Sequence, residues 1–381
     1  MEKQIEFLKE LLNTNSVNPP GNEEQIAKII AKELNENGIA STIRPIEENR
    51  AYLIAKLKGN GNKKSLVFSG HMDTVPPGDI PWKYKPFEVQ EINGRLYGRG
   101  ASDMKGGLAA LTMAMVEIAK EGIPLEGDLI LAATAGEEVD SLGAKAVIQD
   151  GILKNIGAMI IGEPSSNEIF ISHKGALWLE VISYGKTAHG SMPDKGINAI
   201  ENMNSLINIL HNRFKFKYKE NNLLGEPTLN ISIISGGIRT NMVPNICKMQ
   251  MDIRTVPGQN HQEIISDIKF LIKEIEKNSN AKFELKILNN LIAVETSMDD
   301  PFVELAQSTA DELFNYEHKF KGAKYYTDAS TFVSGLKTNF PLFIYGPGEE
   351  SIAHQANEYI EISKYLDAIK FYKKIALRYL K

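Results

Sequence analysis

Cysteine is almost missing from this chain: Cys247 is the only one among 381 residues. No intramolecular disulfide can form, which fits a reducing compartment. Cys247 alternates with Met249, Met251 and Ile253. That two-residue period places the thiol on the apolar face of a strand, where a nucleophilic role is not expected. Long apolar runs are missing too, with no stretch of about eighteen apolar residues that would read as a bilayer span. The opening segment, Met1-Glu-Lys-Gln-Ile-Glu-Phe-Leu-Lys-Glu-Leu-Leu12, is amphipathic and mixed in charge, without the apolar core of a secretory signal. A cytoplasmic protein is the expectation. There is no excess of positive charge either. The net charge of −5 leaves no electrostatic footprint for nucleic acid or an anionic membrane, and neither is expected as a partner. The one basic run, Arg213-Phe-Lys-Phe-Lys-Tyr-Lys219, is short and reads as a solvated surface segment.

What is present begins with size. The chain is long enough for one large domain and a smaller one, and 43% hydrophobic with 24% charged residues is ordinary for a globular protein. Its most informative stretch is Ser65-Leu-Val-Phe-Ser-Gly-His71-Met-Asp73. A short apolar run rich in strand formers ends in glycine and hands over an imidazole and, two residues on, a carboxylate. The pattern recurs three times. Leu129 to Gly136 precedes Glu137 and Glu138, Ala158 to Gly162 precedes Glu163, and Pro341 to Gly348 runs on towards His354. Strand carboxyl ends are where open α/β sheets bind ligands.

Alternating helix and strand signals continue to about residue 174, with helices expected over 23–37 and 108–120. From 175 to 288 the order changes to strand, helix, strand, strand, helix, strand, which suggests a ferredoxin-like α+β unit inserted into the first domain. Residues 289–381 return to complete the first sheet. The expected organisation is therefore 1–174, 175–288 and 289–381.

Each chemical candidate has an ordinary reading beside it. A lone His71 is most often a hydrogen-bonded core or loop histidine, Glu137-Glu138 suits the first turn of a helix, Glu163-Pro164 could end a strand, and the polar Ala353-His-Gln-Ala-Asn-Glu358 suits a surface. Their joint recurrence at strand ends favours the chemical reading. Asp73 beside His71 suits a carboxylate that fixes the tautomer of a metal-bound imidazole. Gly98-Arg-Gly-Ala-Ser-Asp103 lacks the dinucleotide and Walker spacings and reads as a tight loop that aims Asp103 inward. His71, Asp103, Glu138, Glu163 and His354 together supply two imidazoles and three carboxylates. That mixture suits zinc, cobalt or manganese and is enough for two ions sharing one carboxylate.

The chain resembles the M20 family of metallo-aminoacylases and peptidases. The matching motifs are Gly70-His-Met-Asp-Thr-Val-Pro76, Gly98-Arg-Gly-Ala-Ser-Asp-Met-Lys-Gly-Gly107, Ala135-Gly-Glu-Glu138, Gly162-Glu-Pro164 and Ala353-His354. They span nearly the whole chain. The resemblance implies a zinc-peptidase-like α/β catalytic domain, a mixed sheet flanked by helices, with the inserted unit as lid and homodimer interface. It implies His71 and Glu163 on one metal, Glu138 and His354 on the other, and Asp103 between them. Glu137 becomes the general base and Asp73 the partner of His71. Thr187-Ala-His189-Gly-Ser-Met-Pro193 resembles the motif whose histidine polarises the substrate carbonyl, often in the neighbouring subunit's site. Asn241-Met-Val-Pro244 and Asp252-Ile-Arg254 resemble the residues that clamp the substrate's α-carboxylate, although the alternative for Arg254 is a solvated strand face.

Gly346-Pro-Gly348, Ala353-His-Gln355, Asn357-Glu-Tyr359 and Tyr326-Thr-Asp328-Ala-Ser330 are similar to the acetylornithine deacetylase and succinyl-diaminopimelate desuccinylase group. The expected function is removal of a succinyl or acetyl group from an N-acyl amino acid. A dipeptidase or carboxypeptidase of the same family is the alternative, and a non-catalytic binder of the same fold is a different class.

Overall fold

A computed structural model describes residues 2–315, 319–336 and 338–381. Its packing divides into two units, Met1–Ser172 with Glu295–Ala323 and Thr327–Lys381, and His173–Val294 with Lys324–Tyr326.

The first unit opens with helices α1 (Glu2–Asn13) and α2 (Glu23–Glu36). Phe7, Leu8, Leu11 and Leu12 are buried in α1, and Ile26, Ala27, Ile30, Ala31 and Leu34 in α2, which is the apolar stripe that drives an amphipathic helix onto a core. Pro19 and Pro20 separate the two helices, since neither can donate the bond a continuing helix needs. Next come β1 (Ala40–Glu47), β2 (Arg50–Leu57), β3 (Ser65–His71), β4 (Gln90–Ile92), β5 (Arg95–Tyr97), α3 (Lys105–Glu121), β6 (Leu129–Thr134), α4 (Leu142–Gln149), β7 (Ile156–Ile161) and β8 (Phe170–His173). The elements β9 (Gly175–Tyr184), α5 (Ala199–Arg213), β10 (Thr228–Gly236), β11 (Ile246–Thr255), α6 (His261–Asn278) and β12 (Lys282–Leu291) follow. The chain closes with β13 (Val294–Glu295), α7 (Pro301–Phe314), β14 (Lys321–Ala323), α8 (Ala329–Gly335), β15 (Leu342–Ile344), β16 (Tyr359–Glu361) and α9 (Ile362–Leu380).

The large sheet has the order β1-β2-β6-β3-β7-β15-β8-β13, with β14 beside β8. Its four central neighbours β6, β3, β7 and β15 are mutually parallel, while β2 and β8 run antiparallel to them. Every residue of β3 and β6 is buried, as expected of parallel strands covered on both faces. Because the central strands are parallel, their carboxyl ends share one edge of the sheet. The four segments singled out by their glycine-ended strands therefore emerge side by side.

Helix α3 approaches that edge closely. A Cβ on Gly107 would stand 1.8 Å from the carbonyl oxygen of Gly162, so backbone meets backbone where the Glu163 turn begins. Only glycine allows that approach.

The second unit is a four-stranded antiparallel sheet in the order β10-β11-β9-β12. With one helix after β9 and one after β11, this is the ferredoxin-like arrangement. Its core joins Leu177, Leu179 and Val181 of β9 and Met249, Met251 and Ile253 of β11 to Met203, Leu206, Ile264 and Ile268 of the two helices. Cys247 is buried in the same core, and burial pushes its thiol pKa up, away from nucleophilic reactivity. In the basic run, Phe214 and Phe216 pack against this core, while Arg213 pairs with Glu274 at 2.6 Å and Lys217 with Asp267 at 3.0 Å. Among the described residues, no helix is long and apolar enough to cross a membrane.

Candidate metal centre

The site is assembled from strand ends. His71 is the last residue of β3, and its imidazole is buried. Beyond β6, Gly136 turns the chain with φ of 78°, in the left-handed region that favours glycine, and Glu137 and Glu138 follow. Glu163 stands two residues past the end of β7, and Asp103 lies in the turn before α3. His354 comes from the loop between β15 and β16 with φ of 64°, a conformation few side chains adopt and one that clusters at functional sites.

Asp103 lies between the two imidazoles. Its Oδ1 is 3.1 Å from His71 Nε2, and its Oδ2 is 3.1 Å from His354 Nε2. His354 Nε2 is also 3.2 Å from Glu138 Oε1, and His71 Nε2 is 3.7 Å from Glu163 Oε1. Ligand atoms of His71, Asp103 and Glu138 lie within 4.8 Å of one another, and so do those of His71, Glu137 and Glu163. The fold therefore brings together all five residues singled out as metal ligands, and Glu137 with them.

The electrostatics follow from crowding. Burial raises the carboxyl pKa of Glu163 well above the ordinary range, and burial together with the Glu163 charge does the same for Glu137. Burial opposes charge on His71, but Glu163, Asp103 and Asp73 outweigh it and hold the imidazole pKa well above 6.5. Burial likewise opposes ionisation of Asp103, yet its bonds to His354 and His71 keep the carboxyl well below the usual range. His354 is raised to about 10 by Asp103 and then Glu138. Four acidic groups and two imidazoles packed this closely need positive charge among them. The nitrogen and oxygen donors are of the hardness that divalent zinc, cobalt or manganese prefers, so the residues fit metal binding.

The carboxylate of Asp73 does more than was expected of it. Its Oδ1 accepts the backbone N–H groups of Gly136 and Glu137 at 2.9 and 3.2 Å, and its Oδ2 accepts Glu138 N–H at 3.3 Å and the Asn18 side-chain amide at 2.9 Å. The nearest partner of His71 Nδ1 is instead the main-chain oxygen of Asp73 at 3.0 Å, with the carboxylate at 3.5 Å. Asp73 thus holds the turn that carries Glu137 and Glu138, and orients His71 largely through its backbone.

Asn18 escaped the sequence reading, and Asp328 and Glu358 entered it only as members of quoted motifs, with no contact assigned to either. Asn18 sits in the break between α1 and α2, which gave only a stop signal. Asp328 accepts the Thr134 hydroxyl at 2.6 Å, and burial pushes its carboxyl up to about 6. Glu358 ends a hexapeptide polar enough to suggest a surface, yet it is fully buried because Arg99 pairs with it at 2.6 Å. Nothing local signals such contacts, which join residues 55, 194 and 259 positions apart.

In the second unit, His189 and Asn241 are neighbours. An isolated bridge links His189 to Met242, and Gly190 N–H donates to the Asn241 carbonyl at 2.8 Å. His189 is exposed, with Nδ1 2.7 Å from Ser191 Oγ. Arg254 lies towards the far end of β11 from this loop. At about 3.3 Å per residue, the eight steps from Ile246 to Arg254 span roughly 26 Å. Asn241 and Arg254 of one chain therefore lie towards opposite ends of β11. Arg254 is only partly exposed, pairs with Asp252 at 2.9 Å and has its guanidinium 5.7 Å from the Tyr326 ring centre.

A family model described as "Peptidase family M20/M25/M40" matches residues 67–378. The chain belongs to this M20 family. It is a metal-dependent hydrolase. A "Probable succinyl-diaminopimelate desuccinylase" of Staphylococcus aureus (strain N315) is 32% identical over 410 aligned positions, covering 100% of this chain and 98% of that protein. An "Acetylornithine deacetylase" of Buchnera aphidicola subsp. Acyrthosiphon pisum (strain Tuc7) is 34% identical over 310, covering 80% of this chain and 77% of the other. Among solved structures, an M20 family metallo-carboxypeptidase from Sulfolobus solfataricus superposes with a TM-score of 0.83 at 22% identity, over 100% of this chain and 99% of its own. At that identity the likeness speaks for the M20 fold alone.

Proposed function

We propose that this M20 enzyme hydrolyses the amide between an acyl group, succinyl or acetyl, and an amino acid such as diaminopimelate or ornithine. The observation that carries the reading is Asp103 placed between His71 and His354, with Glu137 beside His71 and Glu163. The full-length likeness to a desuccinylase supports the choice of substrate.

In this reading His71 and Glu163 hold one divalent ion, Glu138 and His354 hold the other, and Asp103 is shared. Zinc is the first choice, with cobalt or manganese as alternatives. When bound, the ions supply Lewis-acid polarisation of the scissile carbonyl and acidify water. Glu137 takes the proton that water loses as it attacks the carbonyl carbon, then delivers it to the departing amine nitrogen. Burial, which raises the Glu137 carboxyl, suits a group that must both accept and return a proton near neutral pH. Asp73 holds Glu137 by its backbone. His189 donates a hydrogen bond to the oxygen that gains charge, and Arg254 meets the substrate's α-carboxylate with its planar fork.

The distance along β11 between the Asn241 loop and Arg254 favours His189 and Asn241 acting in the site of a second copy. A homodimer through the second unit supplies that copy. Ile233 and Ile234 at the edge strand β10 and Ile238 just beyond it, 54%, 54% and 77% exposed, support such an interface. The lone buried cysteine is consistent with action in the cytoplasm.

The test is a substrate panel with zinc- or cobalt-loaded protein: N-succinyl-diaminopimelate, N-acetylornithine, simple N-acyl amino acids and dipeptides, with Glu137→Ala as control. A strong preference for one acylated diamino acid is expected, with the control inactive but still metal-bound. Preference for dipeptides would instead select the peptidase branch, and no turnover on any member with metals bound would sink the deacylase reading.

A further inference from the structure

Arg99 and Glu358 form an ion pair with almost no exposure, 1% and 0%. Burying two charges is expensive, and replacing such a pair with packed apolar groups is often neutral or better for stability. The bonds the pair makes suggest what it is for. Glu358 Oε1 accepts the backbone N–H groups of Ser102 at 2.7 Å and Asp103 at 3.0 Å, while its Oε2 takes Arg99 Nη1 at 2.6 Å. Arg99 then spends its remaining terminal donors on two other loops. It reaches the carbonyls of Gln355 at 3.3 Å and His354 at 3.4 Å on one side, and those of Pro76 at 3.2 Å and Pro77 at 3.4 Å on the other. Gly98 N–H returns to the Glu358 carbonyl at 2.9 Å.

Three backbone segments meet at this pair: the one that leaves His71 and Asp73, the one that carries Asp103, and the one that carries His354. The antiparallel ladder of β5 and β16 ends here, at Tyr97 opposite Tyr359 and the Gly98 bond, so Asp103 and His354 themselves lie beyond it. The Trp82 ring lies beside the guanidinium, with its centre 5.0 Å away, and covers it.

We infer that Arg99 and Glu358 are positioning residues for the metal centre, a buried ion pair that sets the separation between the Asp103 carboxylate and the His354 imidazole. This rests on the reading above, in which Asp103 is shared by two ions and His354 belongs to only one. The consequence is asymmetric. Losing the pair releases Asp103 and His354, two of the three ligands of the ion held with Glu138. The ion held by His71 and Glu163 keeps both of those, since His71 is fixed by β3 and by the Asp73 carbonyl. A pair that merely stabilised the fold would weaken both ions alike.

The test compares Glu358→Gln, which keeps an acceptor and removes the charge, with wild type and with Glu137→Ala. Cobalt(II) is titrated into each metal-free protein, and both the stoichiometry and the visible absorption bands are followed. Wild type and Glu137→Ala are expected to take two ions. Glu358→Gln is expected to weaken both ions, the one held with Glu138 at least tenfold more than the one held by His71 and Glu163, in line with the usual effect of removing a group that orients a ligand. Its absorption bands should change most during the second equivalent. Arg99→Lys, which keeps the charge but loses the fork, should do the same to a smaller degree and decides the matter if Glu358→Gln does not fold. Wild-type affinity for both ions in the variant that folds, or equal weakening of the two, overturns the inference and leaves the two-metal reading intact. Failure of wild type itself to take two ions overturns both.

Discussion

The side-chain amide of Asn18 donates to Asp73 Oδ2 at 2.9 Å and fixes the carboxylate that holds the Glu137 turn. Burial opposes ionisation of Asp73, but bonds from His71, Asn18 and the backbone amides keep its carboxyl below the usual range. A hydrogen bond to a charged group contributes about 1.5–3 kcal/mol. Asn18→Ala should therefore lower kcat about tenfold, while Asn18→Asp, which sets a like charge against Asp73, should lower it further. Steady-state kinetics at saturating metal and substrate check this, and an Asn18→Asp enzyme as fast as wild type would contradict it.

Removing the metals should make stability depend on pH in a particular direction. Glu137 and Glu163 are raised by burial first, and His71 is raised despite burial by Glu163. A raised folded pKa means that the folded state holds the proton more tightly. The stability these groups contribute is full below their unfolded values and is lost as pH rises towards the folded ones. Divalent ions replace those protons, so the gain in Tm on adding zinc should be larger at pH 7.5 than at pH 5.5. Thermal melts of chelated and zinc-loaded protein at the two values measure it. An equal gain at both would mean that the carboxylates do not take up protons in the metal-free fold.

How much of this was legible in the sequence follows from where each contact lies. His71, Glu137, Glu138 and Glu163 each stand within a few residues of an apolar strand end, so a local pattern pointed to them. The parallel order of β6, β3, β7 and β15 then brings those ends to one edge. Cys247 and the alternating methionines of β11 were legible for the same reason, since a period of two is written into adjacent positions. The pair of Arg99 with Glu358 joins residues 259 apart, and Asn18 meets Asp73 across 55. No periodicity encodes such a pairing. Nothing local marks Glu358 as buried, because a polar stretch ordinarily faces water, and here a buried guanidinium takes the place of water.

Gly107 offers a test of packing behind the site. A Cβ there would lie 1.8 Å from the Gly162 carbonyl oxygen and 2.8 Å from its carbon, and both atoms are backbone that cannot swing aside. Gly107→Ala should destabilise the protein by about 1–3 kcal/mol, the usual cost of overpacking a close contact. Because Gly162 immediately precedes Glu163, the same displacement should weaken the ion that Glu163 holds. Chemical denaturation and metal titration of the variant test the two effects separately. Stability within a few tenths of a kcal/mol of wild type would show that α3 can shift away from the turn at no cost.

Arg254 tests the substrate end of the reading. Its guanidinium is held by Asp252 at 2.9 Å with the Tyr326 ring 5.7 Å away, so the fork is ordered before any ligand arrives. A contact with an α-carboxylate away from the reacting amide is made equally in the ground and transition states, and its loss raises KM while sparing kcat. Arg254→Lys keeps the charge and the bond to Asp252 but cannot pair in bidentate fashion. It should raise KM about tenfold, the effect of roughly 1.4 kcal/mol of binding, with kcat within a factor of two. The decisive control is the same substrate with its α-carboxylate converted to an amide, which wild type and variant should process alike. A fall in kcat with unchanged KM would instead place Arg254 near the reacting bond. An equal loss on the amide substrate would show that it does not meet the carboxylate.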